Sequence, residues 1–325
     1  DRPVSCVLDG DIVRGRYLDQ RPAGAAPEIG PADGALAYLT ERFDAGFADE
    51  VVRPYIEKID GVPLENVPAE RLRKLLEDQA APTGFWFPRH GIGQLMDAMA
   101  DAFVAAGGEL RLRARATSLR ASGGRVRAVD VDGPDGSGTI ATDDVVVSVP
   151  AGLAAQIAAP PPPGDVMEPV RMRAVALVYL MVERASVTSE PWIQVSDPRV
   201  PFARVFEMGN WSGDLTPGGR AVLGMECYCQ ADDDDPVWGL DDAELAAACH
   251  DALVDPLGWL SPTVPVSPIE VVRLPRAYPV PDLAQLPAIM APARWLSGIE
   301  GVHLAPGSAV IEAIAAGERA AAQAA

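Results

Sequence analysis

Lysine is almost missing from this chain. Lys58 and Lys74 are the only two, and arginine makes up the rest of the 27 basic side chains, a skew that reads as coding bias. Against them stand 46 acidic residues, for a net charge of −19. So acidic a chain has no basic stripe for a phosphate backbone and no polybasic patch for an anionic membrane, which excludes nucleic acid and membrane surfaces as partners. Cysteine is scarce as well. Cys6, Cys227, Cys229 and Cys249 offer neither a disulfide framework nor a CxxC pair, and read as reduced thiols of a cytoplasmic protein. His90, His250 and His303 are scattered, leaving little for a zinc site or a Ser-His-Asp triad. No apolar run reaches the ~18 residues of a transmembrane segment. Gly (30) and Pro (31) stay below the level that signals disorder.

What is present suits about two domains in 325 residues. Residues 1–30 give short strands around Asp9-Gly10, opening as strand material already in progress, and then a loose linker. From 31 to 84 the pattern is helical, with Ala35, Leu36, Leu39 and Phe43 at helical spacing and a break at Gly61 and Pro63. Phe85-Trp86-Phe87-Pro88-Arg89 reads as a short aromatic strand and turn. Gly91-Ile92-Gly93 then opens a helix with Ile92, Leu95, Met96, Met99, Phe103 and Val104 on one stripe. Leu110 and Leu112 alternate as in a strand. ATSLRASGGRVRAVDVDG is a hairpin by its Gly-Gly turn. Val145-Val146-Val147-Ser148-Val149 reads as an apolar run, the pattern of a strand buried on both faces of a parallel sheet.

Beyond the break at APPPPG, the chain turns mostly β. Strands are expected at 174–182, 202–208, 221–229 and 269–274, and Asp241 with Glu244 predicts a capped helix. YPVPDLAQLP reads as extended, 301–305 as a strand, and the Ala-rich end as a helix from Val310. Strand–helix elements at both ends of a different block suggest one sheet built from distant segments, with a second domain inserted.

Motifs with chemistry are weak individually. Gly91-Ile-Gly93-Gln-Leu-Met96 lacks the third glycine of a dinucleotide loop, and no acid ends the next strand, so it reads as a turn and helix start. The run Asp232–Asp235 before Pro236 reads as a solvated loop, and no metal is expected. Glu207, Glu226 and Asp214 lie in or near strands, but nothing in the sequence pairs them as acid and base.

The order of blocks is more specific. VVRPYIEKIDGVPLENVPAERLRK, FWFPRHGIGQLMDAMADAFVAAGGELRLRARATSLRA, DDVVVSVPAGLAAQI, FARVFEMGNWSGDLTPGGRAVLGMECYC, DPVWGLDDAELAAAC, VVRLPRAYPV and GVHLAPGSAVIEAIAAGERAAAQ follow in series. In this order the chain resembles the flavin-dependent amine oxidase superfamily, in particular its protoporphyrinogen-oxidase-like and phytoene-desaturase-like members. The resemblance implies an α/β plus α+β fold: a Rossmann-like FAD domain assembled from distant segments, with an inserted mixed or antiparallel-sheet substrate domain. The implied division is 1–30 leading into the FAD-type domain, 31–84 and 166–295 in the substrate domain, and 85–165 and 296–325 in the FAD-type domain.

The cofactor implied is FAD, accepting a hydride from a C–N or C–C bond of a small, largely apolar molecule; a homodimer is a possible assembly. Thr117 and Ser118 would lie near the adenosine, and Ser148, Val149 and Pro150 would line the cofactor cleft. Ala305, Pro306, Gly307, Ser308 and Val310 would face the pyrophosphate or the flavin pyrimidine edge, where a helix N-terminus favours negative charge. Trp86, Arg89 and Tyr278 are substrate-side candidates, with ordinary packing as the other reading. The family's N-terminal strand–GxGxxG–helix unit is not among these residues, and the closing motif is abbreviated. Two readings stay open: a flavoenzyme with further residues upstream, or a cofactor-free homologue performing a non-redox step or supporting a partner enzyme.

Overall fold

The computed structural model describes the backbone of residues 5–8, 11–13, 30, 33–42, 46, 48–78, 87–216, 218–305 and 310–324. In chain order its main elements are β1 (Ser5–Leu8), β2 (Asp11–Val13), α1 (Ala35–Arg42), α2 (Arg53–Asp60), α3 (Ala69–Asp78), α4 (Gly93–Ala105), β3 (Arg115–Ser122), β4 (Arg125–Gly133), β5 (Gly136–Ala141), β6 (Val145–Val147), α5 (Ala151–Gln156) and β7 (Ala158–Ala159). There follow β8 (Met172–Val182), β9 (Trp192–Val195), β10 (Arg204–Glu207), β11 (Ala221–Cys229), α6 (Asp242–Val254), β12 (Val266–Pro279), α7 (Leu286–Leu296), β13 (Val302–Leu304) and α8 (Val310–Ala324). They divide into two units, one of residues 1–99 and 171–284 and one of 100–170 and 285–325. Among the described residues no helix is long and apolar enough to cross a membrane.

The first unit is built on a seven-stranded sheet in the order β12-β8-β11-β10-β9-β1-β2. Side chains alternate across it as the pleat requires. Val178, Leu180, Val182, Ile193, Val205, Leu223 and Met225 point to one face and are buried against α6 with Leu245, Cys249 and Leu253. Each such side chain stabilises the fold by roughly 1.5–3 kcal/mol. α6 starts where the sequence says it should: Asp241 accepts from the Glu244 N–H at 2.8 Å while Glu244 accepts from the Asp241 N–H at 2.9 Å, a reciprocal capping box. On the opposite face α1–α3 form a separate core around Leu39, Ile56, Ile59, Leu64 and Leu72, against which Trp192 and Tyr228 pack. Arg173 of β8 fastens this layer to the sheet, donating to the carbonyls of Ile59 and Lys58 at the end of α2.

The second unit holds a four-stranded sheet, β5-β4-β3-β7, and a parallel pair, β13-β6. The β3–β4 hairpin closes through Gly123 and Gly124, both with positive φ, the backbone that a tight primed turn needs. A core of Leu119, Val126, Val147, Ala154, Leu296 and Val302 lies between these sheets and helices α5 and α7.

Several expectations need correction. Leu110 and Leu112 form no strand, and Leu112 is 71% exposed; among the described residues nothing pairs with that segment, and an unpaired strand has no ladder to hold it. The run from Val145 to Val149 is a strand only to Val147 and is not buried on both faces, since Val146 and Val149 are exposed. Of the stretch 278–287 expected to be extended, Leu283–Gln285 forms a short 3-10 turn and Leu286 opens α7, which accommodates Pro292 in its interior, buried. β12 runs from 266 to 279, well past both ends of the expected 269–274. The apolar stripe of α4 exists, but no residue of that helix is buried, and Phe103 is 52% exposed.

Candidate functional site

Two places gather the residues singled out above, one in each unit. In the second unit, β13 and β6 run parallel with Val302 opposite Val145, His303 opposite Val146 and Leu304 opposite Val147. Gly301 enters β13 with φ +80°, and a Cβ there would stand 2.0 Å from the carbonyl oxygen of Asp143, so only glycine lets the strands approach. His303 Nε2 lies 2.8 Å from Asp144 Oδ1, tying the start of β6 to β13. At the other end the Ala305 N–H donates to the Val147 carbonyl at 2.9 Å.

That last bond puts Ser148 and Ala305 side by side at the carboxyl ends of two adjacent parallel strands. In open α/β sheets this is where ligands sit. Ser148, Val149 and Pro150 are exposed there, with Val149 at 52%. Pro150 precedes α5, and α8 starts at Val310. Pro306, Gly307 and Ser308 lie outside the described residues. Ala305 is buried, and Gly152 of α5 has nothing within 4 Å of its absent Cβ. Thr117 and Ser118 are on β3, in the other sheet of the same unit. Ala116 pairs with Val131 and Ser118 with Asp130, so Thr117 is the extra residue of a β-bulge.

In the first unit the sheet face opposite α6 carries a polar and aromatic cluster that sequence reasoning did not assemble. Register explains it. Arg204 of β10 pairs with Glu226 of β11 and with Gln194 of β9; Phe206 pairs with Gly224 and Trp192; Gly224 pairs with Tyr179. Paired residues share a face, so Arg204, Glu226, Phe206, Trp192 and Tyr179 lie together. Arg204 Nη1 is 3.5 Å from Glu226 Oε2, and Nη2 is 3.5 Å from the Tyr55 hydroxyl of α2. Its guanidinium stands 5.7 Å from the Trp192 ring centre and 5.8 Å from that of Phe206. Tyr228 donates to Glu226 Oε2 at 2.8 Å and stacks on Tyr278 with ring centres 6.3 Å apart. Burial pushes the Tyr228 and Tyr179 hydroxyls above the ordinary tyrosine range, so both stay protonated donors.

The other candidates separate. Tyr278 is on β12 at the edge of this face. Arg89 is 77% exposed in its side chain and pairs with Asp214 at 3.1 Å, while its carbonyl accepts from Ser212; these contacts fasten a loop. Trp86 lies outside the described residues. Glu207 is engaged by the N–H groups of Val187 and Thr188, so the three acids named from sequence each have a different partner. Asp235 organises its own loop by accepting from the N–H groups of Gln230, Val237 and Trp238. Among the described residues no group of three His, Cys, Asp or Glu side chains could hold a metal. The sequence signal for the missed cluster is an arginine in FARVF and a glutamate in GMECY, each interrupting an otherwise apolar strand.

The sequence model of the flavin containing amine oxidoreductases matches residues 36–325. No curated protein matches the chain. Solved structures of similar fold include a reduced UDP-galactopyranose mutase, with TM-score 0.67 and 16% identity over 93% of this chain and 71% of that one. An oxidoreductase from Methanosarcina mazei superposes with TM-score 0.63 at 13% identity, over 91% of this chain and 68% of that one. The cyclohexylamine oxidase of Brevibacterium oxydans IH-35A does so with TM-score 0.58 at 14% identity, over 99% and 80%.

Proposed function

Because the chain belongs to the flavin-containing amine oxidoreductase family, with FAD as its cofactor, we propose that it oxidises a C–N or C–C bond of a small, largely apolar molecule. FAD supplies the hydride acceptor for that chemistry. The observation that carries the reading is the parallel β6–β13 pair, whose carboxyl edge sets Ser148, Val149 and Pro150 beside Ala305. These residues have the size and position to line a flat cofactor. The start of α8, a 15-residue helix, supplies positive potential for an anionic part of it. In this reading Thr117 and Ser118 serve the adenosine end. The stacked rings of Tyr228 and Tyr278 offer apolar surface to the body of the substrate.

Purified protein, supplied with FAD and desalted, is expected to retain flavin absorption bands. Ser148→Trp and Val149→Asp, both at exposed positions, are expected to reduce the retained fraction several-fold without changing the far-UV circular dichroism. Equal retention by wild type and both variants overturns the placement. A second reading, a non-redox step on a small molecule, is favoured by the mutase among the similar folds. Anaerobic mixing of the loaded protein with amines tests the C–N form of the first reading: bleaching of the flavin supports oxidation, and a non-redox step produces none.

A further inference from the structure

We propose that Arg204 is the anchor for a carboxylate on the small molecule bound by the first unit. The inference rests on the substrate reading above and narrows it to an apolar, ring-bearing or aliphatic acid.

The argument begins with unmet hydrogen bonds. A guanidinium presents five N–H donors in a fixed planar fork. Among the described residues Arg204 makes two polar side-chain contacts, to Glu226 and to the Tyr55 hydroxyl, each at 3.5 Å and so at the outer limit of a hydrogen bond. Its Nε is buried and has no hydrogen-bond partner among them. Leaving buried donors of a charged group unmade is costly, and the usual remedy is a backbone carbonyl or carboxylate at short range. The same unit shows that remedy twice. Arg273 donates to Asp242, the Trp238 carbonyl and the Leu240 carbonyl at 2.9, 2.9 and 2.7 Å. Arg173 donates to the carbonyls of Ile59 and Lys58 at 3.2 and 3.0 Å. Among the described residues Arg204 has nothing comparable, although a quarter of its side chain is exposed.

Its surroundings say what would complete it. Trp192 and Phe206 hold the guanidinium in place by their faces but offer no strong acceptor. Glu226 accepts from the Tyr228 hydroxyl at 2.8 Å and stands 3.5 Å from Arg204, too far for a strong pair. An acceptor with two oxygens in one plane matches the fork, and a carboxylate is that acceptor. A phosphate dianion fits less well, because Glu226 is so near. The aromatic flank accounts for the apolar body.

The test is calorimetric titration of the full chain with benzoate, phenylacetate and hexanoate, each beside its primary amide. At least one acid is expected to bind about tenfold tighter than its amide, the difference one charge-assisted pair supplies. Arg204→Gln is expected to erase that preference. Glu226→Gln, which removes the competing carboxylate and leaves Arg204 in place, is expected to widen it several-fold, so the idea stays testable if the arginine variant misfolds. No acid-over-amide preference in any pair, a preference surviving Arg204→Gln, or one unchanged by Glu226→Gln overturns the proposal. None of these readouts uses the flavin. A protein that prefers acids but retains no FAD would therefore refute the oxidoreductase reading and leave the anchor standing.

Discussion

The guanidinium of Arg173 occupies the space where a side chain on Gly61 would begin. A Cβ on Gly61 would stand 2.8 Å from Arg173 Cζ and Nη1, and Gly61 adopts φ +70° as it ends α2. Two constraints therefore coincide at one residue: left-handed backbone and no lateral room. Gly61→Ala is expected to lower stability by about 2 kcal/mol, combining the left-handed penalty with displacement of the arginine from its carbonyls. The urea midpoint of the variant measures this, and an unchanged midpoint would show the contact to be slack.

Lys58 gives a pH dependence with a definite sign. It donates to the carbonyls of Asp197 at 2.8 Å and Phe202 at 2.7 Å, and burial lowers its pKa from 10.5 to about 8. Between those values the unfolded chain holds a proton that the folded chain has released. Stability from this residue therefore rises with pH across the window, by on the order of 3 kcal/mol at most. Below pH 8 the folded state carries the full cost of a buried charge. Lys58→Met should be less stable overall, because it strands those carbonyls, and its stability should climb less between pH 7 and 10. Parallel pH profiles for the two proteins would refute the assignment.

Cys227 and Cys249 meet inside the core between β11 and α6, with sulfurs 3.7 Å apart. The contact with Cys249 and burial together raise the Cys227 thiol well above its ordinary value, and burial pushes Cys229 up to about 12. Thiols rather than thiolates, Cys227 and Cys229 are poor nucleophiles, and Cys249 is buried beside them. In a Cys6→Ser background, none of the three should react with a chromogenic disulfide reagent until denaturant is added. Prompt reaction of even one equivalent under native conditions would mean the core opens far more readily than its packing implies.

The capping box of α6 sets a smaller and cleaner expectation. Asp241→Ala removes the acceptor for the Glu244 N–H at an exposed position and should cost about 1 kcal/mol. Asp241→Asn or Asp241→Ser should restore most of it. Thermal unfolding of the three variants decides, and equal losses in all three would assign the effect to charge alone.

Elements written in local chemistry were legible in advance: the Gly123-Gly124 hairpin, the Asp241 box, β11 and the helix from Val310. Interactions that depend on register or on a partner strand were not. Leu110 and Leu112 alternate correctly for a strand, yet alternation cannot supply a neighbour. Pro292 inside α7 concealed a helix, since a buried packing face outweighed the proline penalty. The parallel pairing of β6 and β13 sets Ser148 beside Ala305, a neighbourhood that no local pattern in either segment announces. The Arg204–Glu226 pair was invisible because its residues are far apart in sequence and only the β10–β11 register sets them opposite one another.

β12 bounds the large sheet on one side and is its longest strand. Pro268, Pro275 and Pro279 fall along it, and its pairing with β8 shifts register twice, between Pro268 and Glu270 and between Leu274 and Tyr278. A stretch this long, with three amide hydrogens missing and two kinks, is a poor template for a strand from another molecule. Growth of the sheet from molecule to molecule along that border is blocked by the chain's own covalent structure. Crowded solutions of the folded protein should accordingly resist fibre formation from this side.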